Sequence, residues 1–249
     1  WRNFKTMLKL CLIGKNIKNS RSPELYKTFA KRDGVDLSYK LRDLDREDLP
    51  AFVEEVRSGK FTGFNVTAPY KNDIIKYLDY ISEDAEAVAA VNTVYNKDGK
   101  LYGYNTDIYG ARESINSILK EGSILILGRG GAARAVIRAF KEKDLTVYAR
   151  DFDNYDLLKI KADLKFIDNL QGQDFVNVIN ATSVGFNEEK TLMEKPFPSQ
   201  KTAVDLIYTP EKTMFLSCME KSGLEIKNGF EMLELQAKMS YKIYLGEII

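Results

Sequence analysis

Two hydroxyl side chains stand two residues apart near the start of the chain, in the run Asn-Ser-Arg-Ser-Pro. Ser22 and Pro23 are typical of the first turn of a helix, and we predict Ser22 as its N-cap. Hydroxyls at a helix start suit an anion, because the backbone N–H groups there add positive potential. Ser20 and Ser22 are therefore candidate ligands of a small molecule, although Ser22 could serve as a cap alone.

A second group of polar residues follows strand-like stretches in the first half of the chain. It comprises Thr67, Lys71, Asn92, Asn105 and Asp107. Strand ends are where α/β proteins place ligands, so the amide, hydroxyl and carboxylate groups here could bind a small molecule. Each residue also has a simpler interpretation, since asparagines hold turns, Asp107 can cap a helix and a lone lysine is usually solvated.

A glycine-rich loop lies in the middle of the chain, after an apolar strand at 123–127 and before a helical stretch. Gly128, Gly130 and Ala133 fit the Gly-x-Gly-x-x-Gly/Ala pattern of dinucleotide-binding proteins. The glycines let the backbone approach a pyrophosphate, whose charge meets the N–H groups of the helix start. The loop predicts hydride transfer. Because the sequence contains no histidine, lysine and carboxylate must move the accompanying proton.

The composition favours a small-molecule ligand over a macromolecular one. Thirty-seven basic and 36 acidic residues give a net charge of +1 without a long run of one sign, so we expect no nucleic-acid partner and no membrane partner. Cys11 and Cys218 lack metal-ligand spacing, so we predict reduced thiols, no metal and a cytoplasmic protein. No signal peptide and no apolar stretch of membrane-spanning length is visible.

The order of the elements that must position these residues predicts an α/β protein with a parallel sheet. We expect helices at 22–30, 48–58, 70–78, from 107 onward, after the glycine loop to 140, and at 231–245. We expect strands at 8–13, 38–41, 63–66, 123–127, 145–149, 175–180 and 203–206, and a hairpin at 91–104 that turns at 96–99. The central position of the glycine loop favours two domains.

The motifs together resemble the shikimate dehydrogenase family along nearly the full length of the chain. They occur in the family's order at 19–23, 65–71, 90–93, 105–107, 128–133, 180–185, 205–208, 228–229 and 236–237. The resemblance implies NADP-dependent interconversion of 3-dehydroshikimate and shikimate in the aromatic amino-acid (chorismate) pathway, with NADPH as the reductant. It also implies a substrate-binding domain at 1–106, completed by a C-terminal helix at 228–249, and a Rossmann-like NADP-binding domain at 107–227.

The resemblance further implies the roles of particular residues. Lys71 and Asp107 would form the catalytic acid–base dyad. The other substrate ligands would be Ser20, Ser22, Thr67, Asn92, Tyr208 and Gln236. The expected cofactor ligands are Gly128, Arg129, Gly130, Gly131, Ala132, Arg150, Thr182 and Gly229.

Two positions depart from the family pattern. Asn19 replaces the usual histidine before Ser20, at a position that need not touch substrate. Arg150 suits the 2′-phosphate of NADP, but Asp151 replaces the family's threonine and puts a negative charge beside it. We therefore expect the preference for NADP over NAD to be narrowed. The positive charge of Arg129 could compensate for the negative charge of Asp151. Alternatively, Asp151 only caps a helix and points away from the cofactor.

Two alternatives remain from the sequence alone. The first is a quinate/shikimate dehydrogenase that prefers NAD, against which the paired serines argue. The second is a non-catalytic, nucleotide-binding regulatory relative, against which the intact Lys71 and Asp107 argue. Monomer and homodimer are both compatible with the sequence.

Overall fold

The structure is a computed structural model that describes residues 7–150, 162 and 164–248. The described chain forms two compact units. The first ends at Thr106 and resumes at Gln236, and the second comprises Asp107–Leu235. Each unit contains its own six-stranded sheet, and the predicted α/β class with two domains is confirmed. The prediction assigned 228–249 to the first domain, whereas residues 228–235 lie in the second unit.

A mixed sheet organises the first unit. Its elements up to residue 106 are β1 (Leu8–Gly14), α1 (Ser22–Asp33), β2 (Leu37–Asp43), α2 (Leu49–Arg57), β3 (Gly63–Val66), β4 (Tyr80–Ile81), α3 (Glu83–Ala87), β5 (Thr93–Lys97) and β6 (Lys100–Tyr104). The strand order is β2-β1-β3-β5-β6-β4. The first three strands are parallel, whereas β5 runs antiparallel to both of its neighbours. The predicted hairpin is confirmed, and Asp98 and Gly99 in its turn have positive φ.

Alternating side chains of this sheet pack into two apolar cores. Cys11 and Phe64 belong to the core that also contains residues of α2. Leu10 and Tyr26 belong to the other core, together with Tyr241 from the last helix. Burial raises the pKa of the Cys11 thiol to about 12, and Cys11 and Cys218 are both free thiols. Neither cysteine forms a disulfide.

A parallel sheet organises the second unit. Its elements are α4 (Asp107–Asn116), β7 (Ile124–Leu127), α5 (Gly131–Ala139), β8 (Leu145–Tyr148), β9 (Leu164–Ile167), β10 (Asn177–Asn180), β11 (Thr202–Asp205), α6 (Met214–Lys221), β12 (Glu225–Lys227) and α7 (Phe230–Tyr244), whose residues from Gln236 onward belong to the first unit. The order is β12-β11-β10-β7-β8-β9, with every pairing parallel. Because β7 lies between β8 and β10, the strand order reverses beside the glycine loop, where such sheets bind ligands.

Two local predictions are wrong. Ser22 is the first residue of α1 rather than its N-cap; Arg21 occupies the cap position with α-region backbone angles and makes no side-chain cap bond. The helix predicted at 70–78 is only a short 3₁₀ segment, Asp73–Tyr77. The cis peptide bond between Ala68 and Pro69 precedes it. The structure also contains β4, α3, β9, α6 and β12, which the sequence pattern did not predict.

Candidate active site

The glycine loop of the second unit has the geometry of an anion-binding helix start. Gly128 has a φ of 110°, and a Cβ there would lie 2.9 Å from Thr182 Cγ2. Gly130 is the N-cap of α5 and offers no side chain to its first N–H groups. A Cβ on Gly130 or Gly131 would meet no atom within 4 Å. The helix start without a capping side chain and the open space beside it fit a pyrophosphate, so these residues suit a dinucleotide.

The loop after β10 lies beside the glycine loop, and a network of hydrogen bonds holds it in place. Asn180 Oδ1 accepts hydrogen bonds from Thr182 N at 3.1 Å and from Thr182 Oγ1 at 2.7 Å. Thr182 Oγ1 in turn accepts from Val184 N at 3.1 Å. On the other side, Asn180 Nδ2 donates to Asp205 Oδ1 at 3.1 Å. These hydrogen bonds thereby hold Thr182 next to Gly128.

Asp205, the first residue of the motif at 205–208, is a buried carboxylate that was not among the predicted site residues. It also accepts from Ile207 N at 3.0 Å and from Thr213 Oγ1 at 2.6 Å. Burial raises its pKa above the ordinary 3.8, and these hydrogen bonds oppose the shift. The sequence contained a signal for this buried carboxylate, because Asp205 ends an apolar strand. A carboxylate that is buried in this way needs several hydrogen-bond donors.

The remaining predicted cofactor residues lie at the ends of strands or at the start of α7. Arg150 is exposed and follows the buried Ala149 after β8. Asp151 lies outside the described residues. A Cβ on Gly229 would lie 2.0 Å from Leu206 O, so only glycine permits the start of α7 to approach the segment that leads to Tyr208.

The paired serines of the first unit contact each other at the start of α1. Ser20 Oγ donates to Ser22 Oγ at 3.2 Å and accepts from Ser22 N at 3.3 Å. Both side chains are half-buried. Ser20 therefore satisfies the first N–H group of α1, and the role of both serines as substrate ligands stays a prediction.

The backbone around Lys71 anchors this lysine beside Asn92. Thr67 N donates to Ile13 O at 2.9 Å, and Val91 N donates to Lys71 O at 2.8 Å. A Cβ on Gly14 would lie 2.4 Å from Thr67 Cγ2, so the glycine lets the end of β1 pass the turn. Lys71 is half-buried. The turn thus holds Thr67 and Lys71 next to the segment that carries Asn92.

Asn92 and Gln236 meet although 144 residues separate them. Asn92 Nδ2 donates to Gln236 Oε1 at 3.4 Å and to Thr106 Oγ1 at 3.0 Å. Asn92 is buried, whereas Gln236 is partly exposed. Gln236 lies on α7, and its contact with Asn92 brings the C-terminal helix to the polar residues of the first unit.

The predicted site residues divide between the two units. Ser20, Ser22, Thr67, Lys71, Asn92 and Gln236 lie in the first unit, and Asp107, Tyr208 and all the predicted cofactor ligands lie in the second. Asp107 is the first residue of α4 and is buried. The proposed dyad therefore takes one residue from each unit, and its pairing stays a prediction.

Three residues close to Asn92 were missed as site components: Thr93, Thr106 and Ser240. Thr93 and Thr106 stand next to Asn92 and Asp107 in the motifs. Ser240 follows Gln236 by four residues, so the two share one face of α7. A serine on the buried face of an amphipathic helix was the available signal.

Membrane-spanning helices and metal clusters are both absent from the residues that the structure describes. None of their helices is long and apolar enough to cross a membrane. They also contain no group of three or more His, Cys, Asp or Glu side chains that could hold a metal ion.

A parallel sheet whose glycine loop leads into a helix start defines a dinucleotide-binding α/β protein. The model of the shikimate dehydrogenase substrate binding domain matches residues 12–94. The shikimate dehydrogenase (NADP(+)) of Caldicellulosiruptor bescii is 38% identical over 93% of this chain and 87% of its own length. That of Clostridium beijerinckii is 32% identical over 94% and 90%. This chain belongs to the shikimate dehydrogenase family, which confirms the resemblance found in the sequence.

A solved relative has the same fold. The crystal structure of shikimate 5-dehydrogenase from Thermus thermophilus in complex with NADP(H) and shikimate has a TM-score of 0.89 to this chain and 32% sequence identity. The match covers 96% of this chain and 94% of the other. The NADP(+) relatives do not favour the NAD-preferring alternative.

Proposed function

We propose that this protein reduces 3-dehydroshikimate to shikimate with NADPH, and catalyses the reverse reaction. The observation that carries the proposal is the joint presence of a dinucleotide-type glycine loop in one unit and of the Ser20, Lys71, Asn92 and Gln236 polar groups in the other. Membership of the shikimate dehydrogenase family supports the choice of substrate. A relative bound to NADP(H) and shikimate supports the choice of cofactor.

The residues of this chain suit the parts of the substrate. Ser20 and Ser22 have hydroxyl protons to donate to the substrate carboxylate. Asn92 and Gln236 carry amides that can donate to ring hydroxyls and accept from them. Thr67 and Tyr208 add further hydroxyls. The ring would thus be held at its carboxylate by one set of donors and at its hydroxyls by another.

Reduction of the ketone needs a hydride at the carbonyl carbon and a proton at the carbonyl oxygen. NADPH supplies the hydride when it is bound. Lys71 donates the proton from Nζ to the carbonyl oxygen, and water returns a proton to the neutral amine after turnover. Asp107 is the acidic member of the proposed acid–base dyad. In the oxidation of shikimate the same proton moves in the opposite direction.

Initial rates with four pairs of substrates test the proposal. Shikimate and quinate are each assayed with NADP and with NAD. We expect the highest kcat/KM with shikimate and NADP. A higher kcat/KM with NAD or with quinate would favour the alternative dehydrogenase, and no turnover of any pair would favour the regulatory relative.

The carboxylate role of the serines has its own test. Replacing Ser20 and Ser22 together by alanine should raise KM for shikimate and leave KM for NADP unchanged. The methyl ester of shikimate, which lacks the anion, should bind the double variant and the parent equally. Equal losses for the acid and the ester would refute the carboxylate role.

A further inference from the structure

Three buried hydroxyls form a cluster that contacts the amides of Asn92 and Gln236. We call Thr93, Thr106 and Ser240 the hydroxyl cluster; their exposed fractions are 0%, 2% and 0%. Ser240 Oγ lies 2.7 Å from Thr93 Oγ1 and 2.9 Å from Thr106 Oγ1. Ser240 thereby joins α7 to β5 and to the segment that follows β6. Hydroxyls this deeply buried must satisfy one another or a neighbouring amide.

The backbone determines how the Asn92 amide is oriented. Thr106 N, which can only donate, lies 2.8 Å from Asn92 Oδ1. The oxygen of the amide therefore faces Thr106 N, and the nitrogen is the end that donates to Thr106 Oγ1 and to Gln236 Oε1. Since Gln236 Oε1 accepts from Asn92, the Gln236 nitrogen is the end that can donate to a substrate hydroxyl.

The hydroxyl of Ser240 is shared by both threonines. Ser240 Oγ donates to Gln236 O at 3.0 Å, so it can accept from both Thr93 and Thr106. Thr93 Oγ1 also donates to Asn92 Oδ1 at 2.9 Å. Thr106 Oγ1 donates to Asn92 Oδ1 at 3.2 Å and to Gln236 Oε1 at 3.4 Å. Without the serine hydroxyl, Thr93 and Thr106 would lose the partner that they share and would depend on the amide oxygens alone. The hydrogen bonds to the two amides would then change, and the amides would shift.

We propose that Ser240 is a positioning residue, which holds the amides of Asn92 and Gln236 in the orientation that recognises the hydroxyls of the cyclohexene acid. It acts through Thr93 and Thr106 and does not touch substrate. This inference rests on the proposed function, in which Asn92 and Gln236 are substrate ligands.

Ser240→Ala tests the inference by steady-state kinetics of the full-length enzyme. Disturbing buried amides in this way should raise KM for shikimate by roughly 5- to 30-fold. KM for NADP should stay unchanged. An analogue of shikimate that lacks a ring hydroxyl should show a smaller rise, because fewer of its contacts depend on the two amides. A loss of stability alone would produce neither the KM split nor the dependence on the hydroxyl.

Two further variants separate the positioning role from a structural one. Ser114→Ala makes the same change at another buried serine, on α4, and should leave KM for shikimate unchanged. Thr93→Val keeps the side-chain shape but removes the hydroxyl, and should raise KM for shikimate as Ser240→Ala does. The rise in KM of the double variant should be smaller than the product of the two single rises, because both substitutions break one network.

The kinetic outcomes separate failure of the inference from failure of the proposed function. If the parent turns over shikimate while folded Ser240→Ala keeps the parental KM, Ser240 is no positioning residue. If Ser240→Ala does not fold, the same comparison is made with Thr93→Val, and a parental KM there overturns the inference. Independent, multiplying effects in the double variant also contradict it. If the parent itself does not turn over shikimate, the proposed function fails instead.

Discussion

Lys71 is the side chain on which the proposed proton transfer depends, and its half-buried position beside the Asn92 segment suits that role. We expect Lys71→Ala to lower kcat by at least ~10²- to 10⁴-fold, because general acid–base catalysis contributes about that much. Binding of shikimate should weaken far less, since the proton moves mainly in the transition state. Stopped-flow rates and equilibrium binding of shikimate measure the two effects separately.

Lys76→Ala is the matched control for this variant. Lys76 lies in the adjoining 3₁₀ segment, is exposed, and contacts the ring of Tyr77. It should keep the parental kcat. A Lys71→Ala enzyme that retains most of its kcat would remove Lys71 from the mechanism.

Arg150 should set the choice between NADP and NAD. Its guanidinium is exposed at the end of β8, where a 2′-phosphate can pair with it. A hydrogen bond between charged groups contributes roughly 1.5–3 kcal/mol, so Arg150→Ala should raise KM for NADP roughly ten- to hundredfold and leave KM for NAD unchanged. Arg112→Ala, which removes another exposed arginine of the same unit, is the control.

The neighbouring Asp151 is expected to narrow the same preference. Asp151→Thr should therefore lower KM for NADP without altering KM for NAD, provided that the two charges lie close together. A parent enzyme that uses NAD better than NADP would contradict the assignment of Arg150.

The raised pKa of Asp205 predicts how the contribution of this residue to the free energy of unfolding changes with pH. Its pKa is raised above 3.8 by burial, so the folded state holds this proton more tightly than the unfolded state. The contribution of Asp205 to the free energy of unfolding is present below pH 3.8 and is lost as the pH rises through the folded pKa. The stability difference between the parent and Asp205→Asn should therefore decrease with rising pH, as measured by urea unfolding.

Asp174 is the control, because its pKa is shifted in the opposite direction to that of Asp205. Hydrogen bonds from Ser199 lower its pKa below 3.8, so its contribution is present above that value and is lost as the pH falls. The difference between the parent and Asp174→Asn should increase with rising pH. The same slope for both variants would contradict the burial effect at Asp205.

The glycine loop lets stability and cofactor binding be separated within one element. Gly128→Ala forces a side chain into a left-handed backbone next to Thr182, so it should lower the melting temperature. Gly130 has a φ of −71°, and a Cβ there would lie in open space, so the Gly130→Ala variant is not strained. It should melt like the parent but bind NADP more weakly, because the methyl group occupies the approach of the pyrophosphate. Calorimetry measures both quantities.

Unchanged NADP affinity in Gly130→Ala would show that the pyrophosphate does not approach this amide. A lower melting temperature for Gly130→Ala than for Gly128→Ala would contradict the steric argument. The Gly223→Ala variant, at another glycine of positive φ with no atom within 4 Å of the added Cβ, isolates the backbone strain without the contact to Thr182.

Strong local patterns explain which elements the sequence predicts. β7 and β10 are fully buried and continuously apolar at their centres, and the hairpin turn contains Asn-Lys-Asp-Gly. The three missed strands, β4, β9 and β12, all lie at sheet edges. An edge strand has a neighbour on one side only, so its residues are partly exposed and the apolar pattern fades.

The residues of the site were predictable by type but not by partner. The motif around Asn92 identifies a polar group at a strand end. Its contact with Gln236 spans 144 residues, and no local pattern encodes such a distance. Ser22 was misassigned as a cap because hydroxyls prefer that position on average, whereas here its hydroxyl contacts Ser20 instead.

The two units, each with its own sheet, should respond to different ligands. A ligand at 100 times its Kd stabilises the form that binds it by about 2.7 kcal/mol, and this protection falls mainly on the residues around it. In hydrogen exchange followed by mass spectrometry, NADP should protect 124–134 and 180–185 of the second unit. Shikimate should protect 63–71, 91–106 and 236–244 of the first. NAD at the same concentration should protect 124–134 less than NADP does, because it lacks the 2′-phosphate. Protection by NADP confined to the first unit would reverse the assignment of the two units, because the uncapped amides of α5 would then have bound no anion.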